Sequence, residues 1–372
     1  MKQWYRLKRC IWLILFPLSA FCLWIAKGNT DIAEDVFARG IYPVYSRIIS
    51  WVSSIFPFSV AEVGVILLPI IGVILIGVWI GRLIKRKEGR KDRFIKGVLN
   101  IACVVAAVFF MFSIGCGVNY YRHSFAYYSG LTIEPSTKED LYDLCVKLAD
   151  TASELRSQIK STDEDGVYQM SFSISELRQK TRQAMLSLGN EYEVLADVYP
   201  AAKPMYLFSG MMSRMELTGI YIPFTMEANV NIAIPHYSIA STMCHELAHL
   251  HGFMREDEAN YISYLACMAS DDIEIQYSGT MEALINAGNA LYEKDASLYM
   301  ELRKHYSESV VLDLRANSEY WKQYENTTIS NIANQVNDTY LKTNNQEDGV
   351  QSYGRMVDLL LAAYRKQKLE QE

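Results

Sequence analysis

The densest group of chemistry-bearing residues is the stretch STMCHELAHLHGFMREDEANYISYLAC, Ser241 to Cys267, with His245-Glu246-Leu247-Ala248-His249 at its core. On a helix, residues four apart share a face with Cβ atoms ~5–6 Å apart, which lets two imidazoles grip one Zn²⁺ at ~2.0–2.1 Å. Glu246 sits beside them, suited to take a proton from a water on that ion. The bland alternative is a helix with two core or surface histidines. With 6 histidines in 372 residues, chance produces this pattern in on the order of one such chain in a hundred.

A catalytic zinc needs a third protein ligand. Gly252, three residues past His249, can end the helix in a left-handed turn and send the chain back past the metal. A new helix then begins at REDEANYISYLAC, on which Glu256 and Asn260 lie one turn apart. Glu256 is the candidate ligand and Asn260 the candidate hydrogen-bond partner of a ligating imidazole. Glu258 points to another face and, with Asp257, stands as the alternative ligand. His251 faces away from the metal side and reads as structural, and His236 reads as a capping or surface residue. Cys244 lies ~100° around the helix from His245, so a buried small side chain is the better reading than a thiolate ligand.

Just ahead of this helix, PFTMEANVN lies between two β-like pieces. Ala228, Asn229, Val230 and Asn231 are candidates for a strand edge that holds an extended substrate by backbone hydrogen bonds, with an ordinary hairpin as the alternative. A donor to a developing oxyanion is also needed. Tyr353, Arg355 and His305 are open candidates that the sequence does not rank.

HELAH followed by Glu-Asp-Glu-Ala-Asn resembles the gluzincin pattern, HExxH plus a later helix carrying ExxxD or ExxAN. The resemblance implies His245, His249 and Glu256 as zinc ligands, Glu246 as general base and Asn260 in the orienting position. Two departures stand out: Asn replaces the commoner Asp, and only six residues separate His249 from Glu256. Gly252 three residues past the second His also resembles metzincins, but their third ligand would fall at Arg255, which cannot bind zinc. Together with GVQSYGRMVDLLLAAY and the apolar start, nearly the whole chain is similar to an uncharacterised family of bacterial membrane proteins with this metalloprotease-like signature. That resemblance implies a zinc metallopeptidase with one Zn²⁺ per chain and a peptide or protein substrate. The rival reading is a non-catalytic zinc-binding sensor or scaffold of the cell envelope, although a structural site has no need of Glu246. A transporter component is a third reading, disfavoured because the apolar spans hold almost no ionisable residues.

The elements that must position this site read as mostly α. An STKED start leads into DLYDLCVKLADTASELRSQI, whose apolar residues recur at three and four, and residues 173 to 188 make a second helix. Short β-like runs follow at Pro204 to Phe208, Gly219 to Phe224 and Ala228 to Ile234. After Pro235 the pattern is helical, interrupted near Asn326 and by KTNNQEDG at 342 to 349. The expected fold class is therefore α+β, mostly α: three N-terminal transmembrane helices and then a zincin-like, helix-rich domain with a small β-sheet.

Three uncharged stretches, Cys10 to Ala26, Val63 to Gly81 and Gly97 to Val118, are long enough to cross a bilayer core of ~30 Å. They predict spans over about 10–27, 60–82 and 96–118, an anchor domain over 1–118 and a hydrolase domain over 119–372. Residues 1 to 118 carry 15 Lys/Arg against 6 Asp/Glu, and the remainder 21 against 36. Lys2, Arg6, Lys8 and Arg9 precede the first span, and a basic cluster from Arg82 to Lys96 lies around the second link. By the positive-inside rule both are cytoplasmic, which puts the C-terminal domain outside the cytoplasm. The aromatics of the link FARGIYPVYSRIISWVSSIFPF suit the headgroup layer of the bilayer, along which this link is expected to lie. No small-x-small cleavage site follows the first span, so a retained anchor is expected in place of a signal peptide. The acidic remainder disfavours nucleic acid as a partner. Of seven cysteines, only Cys145, Cys244 and Cys267 fall there, and they spell no disulfide framework.

Overall fold

The computed structural model describes residues 9, 11–346, 349 and 355–371. The fold is mostly helical, with three N-terminal helices long and apolar enough to cross a membrane and one three-stranded sheet. The chain divides into two units: one runs to His123 and also includes Ile222–Glu227, and the other comprises Ser124–Tyr221 and the chain from Ala228 onward.

In the first unit the apolar spans are Ile11–Gly28, Val60–Lys85 and Arg90–Gly115. The first contains helix α1 (Leu15–Gly28); Cys10, where the sequence starts this span, lies outside the described residues. The third begins six residues before the expected boundary, because Arg90, Lys91 and Arg93 are good helix formers that extend it. It stops at Gly115, where Cys116 leaves helical geometry at φ −152°. Between α1 and the second span the chain forms a π-helical segment, Ala33–Ile41, followed by α2 (Tyr42–Ser54). Glu34 of the π segment makes a buried two-point pair with Arg122, at 2.9 and 3.1 Å. The π segment packs with its neighbours through Ala26, Ala33, Phe37, Ile114 and Val118.

The second and third spans are α3 (Val60–Lys85) and α4 (Arg90–Gly115). A helix start leaves four N–H groups without partners. At α3 the Ser59 hydroxyl accepts from Glu62 N at 3.0 Å, and the Glu227 carboxylate accepts from Val60 N and Ala61 N at 3.0 and 2.8 Å. With Ser53 Oγ donating to Thr225 O at 2.6 Å, these bonds make the turn Ile222–Glu227 part of this unit despite its distance in sequence.

In the second unit α5 (Lys138–Gln158) and α6 (Ile174–Gly189) each begin with a reciprocal capping box, Thr137 with Asp140 and Ser173 with Glu176. After three short strands come α7 (His236–Leu250), α8 (Glu256–Met268) and α9 (Ile273–Lys294), which pack on one another, with α9 lying along α5. Helix α10 (Glu308–Lys322) is tied to both by Asp313, which is fully buried. Its carboxylate accepts from Arg156 Nε (2.6 Å), Tyr277 OH (2.6 Å) and Tyr168 N (2.7 Å). The helical pattern breaks where expected, at Asn326 (φ +57°) and Asn345 (φ +65°), on either side of α11 (Thr328–Thr343); α12 is Met356–Gln371.

The strands are β1 (Lys203–Met205), β2 (Gly219–Ile222) and β3 (Glu227–Asn231), in the order β1-β3-β2. β1 runs parallel to β3, with Pro204 opposite Val230. β3 is therefore central and all five of its residues are buried. Ala228, Asn229, Val230 and Asn231 thus do not form the substrate edge expected of them, because both of their flanks are occupied by neighbouring strands. The outer strand on the side away from β1 is β2.

Candidate metal centre

Helix α7 is clamped by hydroxyls from its neighbours. Ser263 of α8 donates to Ser241 O at 2.6 Å, and Ser241 N donates to Ser278 Oγ of α9 at 2.9 Å. This holds the His245–His249 face in a fixed position against the start of α8. After Leu250 the chain turns at Gly252, whose φ of +87° is the left-handed geometry that glycine adopts without strain. The turn brings the Phe253 carbonyl back over the helix end, where His249 Nδ1 donates to it at 2.7 Å. That bond commits Nδ1 to the carbonyl and leaves His249 Nε2 facing Glu256.

Helix α8 opens with Glu256, and its Oε2 lies 3.2 Å from His245 Nε2 and 3.6 Å from His249 Nε2. The three ligand atoms all fall within 4.8 Å of one another. Atoms bound tetrahedrally to one zinc at ~2.0–2.2 Å are ~3.3–3.5 Å apart, so two of the separations already match. Glu246 Oε2 is buried without a hydrogen-bond partner, an arrangement that a cation relieves. The donor set, two imidazoles and one carboxylate, fits zinc.

Electrostatics point the same way. Burial raises the Glu246 carboxyl to about 7, against the pull of His245 and His249. Burial also opposes charge on Glu256, but the two imidazoles override it and hold that carboxyl down at about 2. For His249 burial favours the neutral ring, yet the Glu256 carboxylate beside it raises it to about 9. Without metal, a proton on His249 therefore stands in for the cation.

Of the other residues singled out by the sequence, Asn260 is buried one turn beyond Glu256. Glu258 does not join the cluster. Its Oε1 accepts from Phe125 N at 3.0 Å, at the start of the short helix Phe125–Ser129, and lies 3.4 Å from Arg255 Nη1. Asp257 is raised chiefly by burial, with Arg255 and Arg355 opposing. Arg355 enters here only as a cation near enough to Asp257 to lower it. His305 is paired with Asp150 at 3.2 Å, and Tyr353 lies outside the described residues. His236 Nδ1 accepts from Met170 N at 3.0 Å. Both nitrogens of His251 face carbonyls, Leu247 O at 2.7 Å and Asp197 O at 3.0 Å, which ties the end of α7 to a loop. Cys244 lies against Cys267 of α8, and that contact together with burial pushes its thiol well up, the opposite of what a thiolate ligand requires.

Three residues at the centre carry no signal in their local sequence. Gly219 of β2 runs so close to Glu246 that a Cβ there would overlap the Glu246 side chain. Tyr221, two residues on, has its ring 6.3 Å from that of His249. Glu282 of α9 lies near His245 and accepts from Asn286 Nδ2 at 3.0 Å; burial is the main cause of its raised pKa. All three come from segments separated from HELAH by loops or whole elements, so periodicity around the motif could not reveal them.

Residues 37–361, most of the chain, match the pattern of one family, described as Protein of unknown function (DUF3810). No curated protein and no solved structure matches the chain.

Proposed function

We propose that this chain, which belongs to the DUF3810 family, is a membrane-anchored zinc metallopeptidase with its catalytic centre at His245, Glu246, His249 and Glu256. The observation that carries this reading is the convergence of two imidazoles and a carboxylate, with the buried Glu246 Oε2 left without a hydrogen-bond partner beside them. His245, His249 and Glu256 would hold one Zn²⁺ and leave a coordination position open. Bound there, the ion would supply Lewis acidity, making a water acidic and polarising a carbonyl.

Glu246, raised by burial to about 7, takes up a proton near neutral pH and hands it to the leaving amine. β2 runs past Glu246 as an outer strand and offers backbone groups to an extended peptide. Tyr221, on the same strand, is the candidate donor to the developing oxyanion. The choice of a peptide rests on the gluzincin-like motif. By the positive-inside rule, the basic cluster between the second and third spans makes the unit after them extracytoplasmic.

The test uses purified full-length protein and a quenched-fluorescent peptide library. Glu246→Gln is expected to keep stoichiometric zinc and lose turnover, whereas His245→Ala and Glu256→Ala lose the metal and Glu258→Ala keeps it. Unchanged turnover in Glu246→Gln, or folded protein that takes up no zinc on replenishment, overturns the proposal.

A further inference from the structure

Helix α2 is built inside out. Its serines Ser46, Ser50 and Ser53 are buried, while Val44, Ile48, Trp51 and Ile55 are 55%, 60%, 67% and 63% exposed. At 3.6 residues per turn these four apolar residues and Val52 fall within an arc of roughly 100°, opposite the serines. The serines need no water: Ser46 Oγ donates to Tyr42 O (2.7 Å), Ser50 Oγ to Arg47 O (3.3 Å) and Ser53 Oγ to Thr225 O (2.6 Å). Phe56 and Phe58, their rings 5.7 Å apart, carry the exposed apolar surface beyond the helix end.

An apolar face of this size, uncovered on a helix whose polar side is turned inward, is the reverse of what water selects. The chain at either end indicates what covers it. α2 lies in the single link between two spans, Ile11–Gly28 and Val60–Lys85, so both spans open on the side of the bilayer where α2 lies. Ile55 is five residues from Val60, at most ~18 Å of extended chain, so the end of α2 cannot leave the neighbourhood of the bilayer.

We propose that α2 and the Ile55–Phe58 turn are half sunk in one leaflet, with Val44, Ile48, Trp51 and Ile55 among the upper acyl chains and the serines facing the protein. Arg47 sits at the border of the apolar arc, exposed, with Nε donating to Pro43 O at 2.9 Å, a position from which a guanidinium meets the lipid phosphates. The bilayer contact thus goes deeper than the headgroup position that the aromatics of this link imply. It holds whether or not the metal centre hydrolyses peptides.

The experiment uses the full chain, with its native cysteines replaced, in phosphatidylcholine nanodiscs. Nitroxide labels at Val44→Cys, Ile48→Cys, Trp51→Cys, Ile55→Cys and Ser54→Cys are tested for collision with oxygen, which partitions into acyl chains, and with a water-soluble nickel chelate. Oxygen is expected to dominate at the first four positions and nickel at Ser54→Cys. In an independent measurement, lipids brominated in the upper acyl chain quench wild-type tryptophan fluorescence, and Trp51→Phe loses part of that quenching. Nickel dominance at all five positions, low collision with both reagents, or spin–spin broadening between copies overturns the proposal, as does quenching unchanged in Trp51→Phe.

Discussion

At the level of single residues, the centre is defined by where protons and charges are allowed to rest. Glu256 stays ionised because two imidazoles face it, and His249 stays protonated because Glu256 does, so in the metal-free protein a proton fills the position the ion would take. Metal must displace that proton. Since His249 is raised to about 9, apparent zinc affinity is expected to rise roughly tenfold per pH unit below that value, with about one proton released per ion. Glu256, down at about 2, has no proton to give in this range and leaves the slope alone. Calorimetry in buffers of different ionisation enthalpy measures the proton count, and a count of zero near neutral pH defeats the assignment of His249. Glu246 differs from Glu256 for a local reason: it has burial without a dominant cationic neighbour, so its proton exchanges near neutrality.

At the level of elements, two devices position these side chains. One is the Gly252 turn, which ends α7 and places the Phe253 carbonyl under His249. Gly252→Ala forces a Cβ into the left-handed region, at ~1–2 kcal/mol of stability. It also disturbs the hydrogen bond to the His249 ring, and for a ring that holds metal as proposed such a change typically lowers metal affinity ~10–100-fold. A chelator-competition titration checks this; wild-type zinc affinity in the variant means that the turn does not orient His249. The other device is the Asp313 junction, which joins α5, α9 and α10 around one buried carboxylate. Asp313→Ala strands a buried guanidinium and is expected to cost about 3–5 kcal/mol. Urea unfolding of the solubilised protein should show this as a lower midpoint, and a midpoint within error of wild type contradicts it.

At the level of the whole molecule, the charge asymmetry and the three spans bear on topology. If the unit after the third span is extracytoplasmic, a cysteine placed on its surface reacts with a membrane-impermeant reagent in intact cells. Cys145 cannot report this, because it is fully buried and burial pushes its thiol up to about 12. Tyr292→Cys, at an exposed position on α9, is the suitable probe. Labelling only after permeabilisation would reverse the assigned orientation.

Much of the architecture was legible from neighbours along the chain. Apolar length marked three helices long enough to cross a membrane, period-four spacing placed His245 and His249 on one helical face, and the STKED start and apolar spacing marked α5 and α6, because each of these signals is written in nearby backbone. Gly252 and the acids after it announced a return of the chain and favoured Glu256 as the acid facing the imidazoles, without fixing the packing that would put it there. That depends on the angle at which α8 leaves the turn, and it was settled when Glu258 took the Phe125 N–H and Glu256 met the two rings. Strand order was equally hidden: β3 became central because β1, more than twenty residues upstream, pairs with it, and β2 was thereby left as the strand beside Glu246. The inverted faces of α2 belong to the same class, since periodicity shows that a helix has two faces but only its packing partners decide which one turns inward. Contacts between residues distant in the chain leave no local periodicity, which is why only the tertiary structure could decide them.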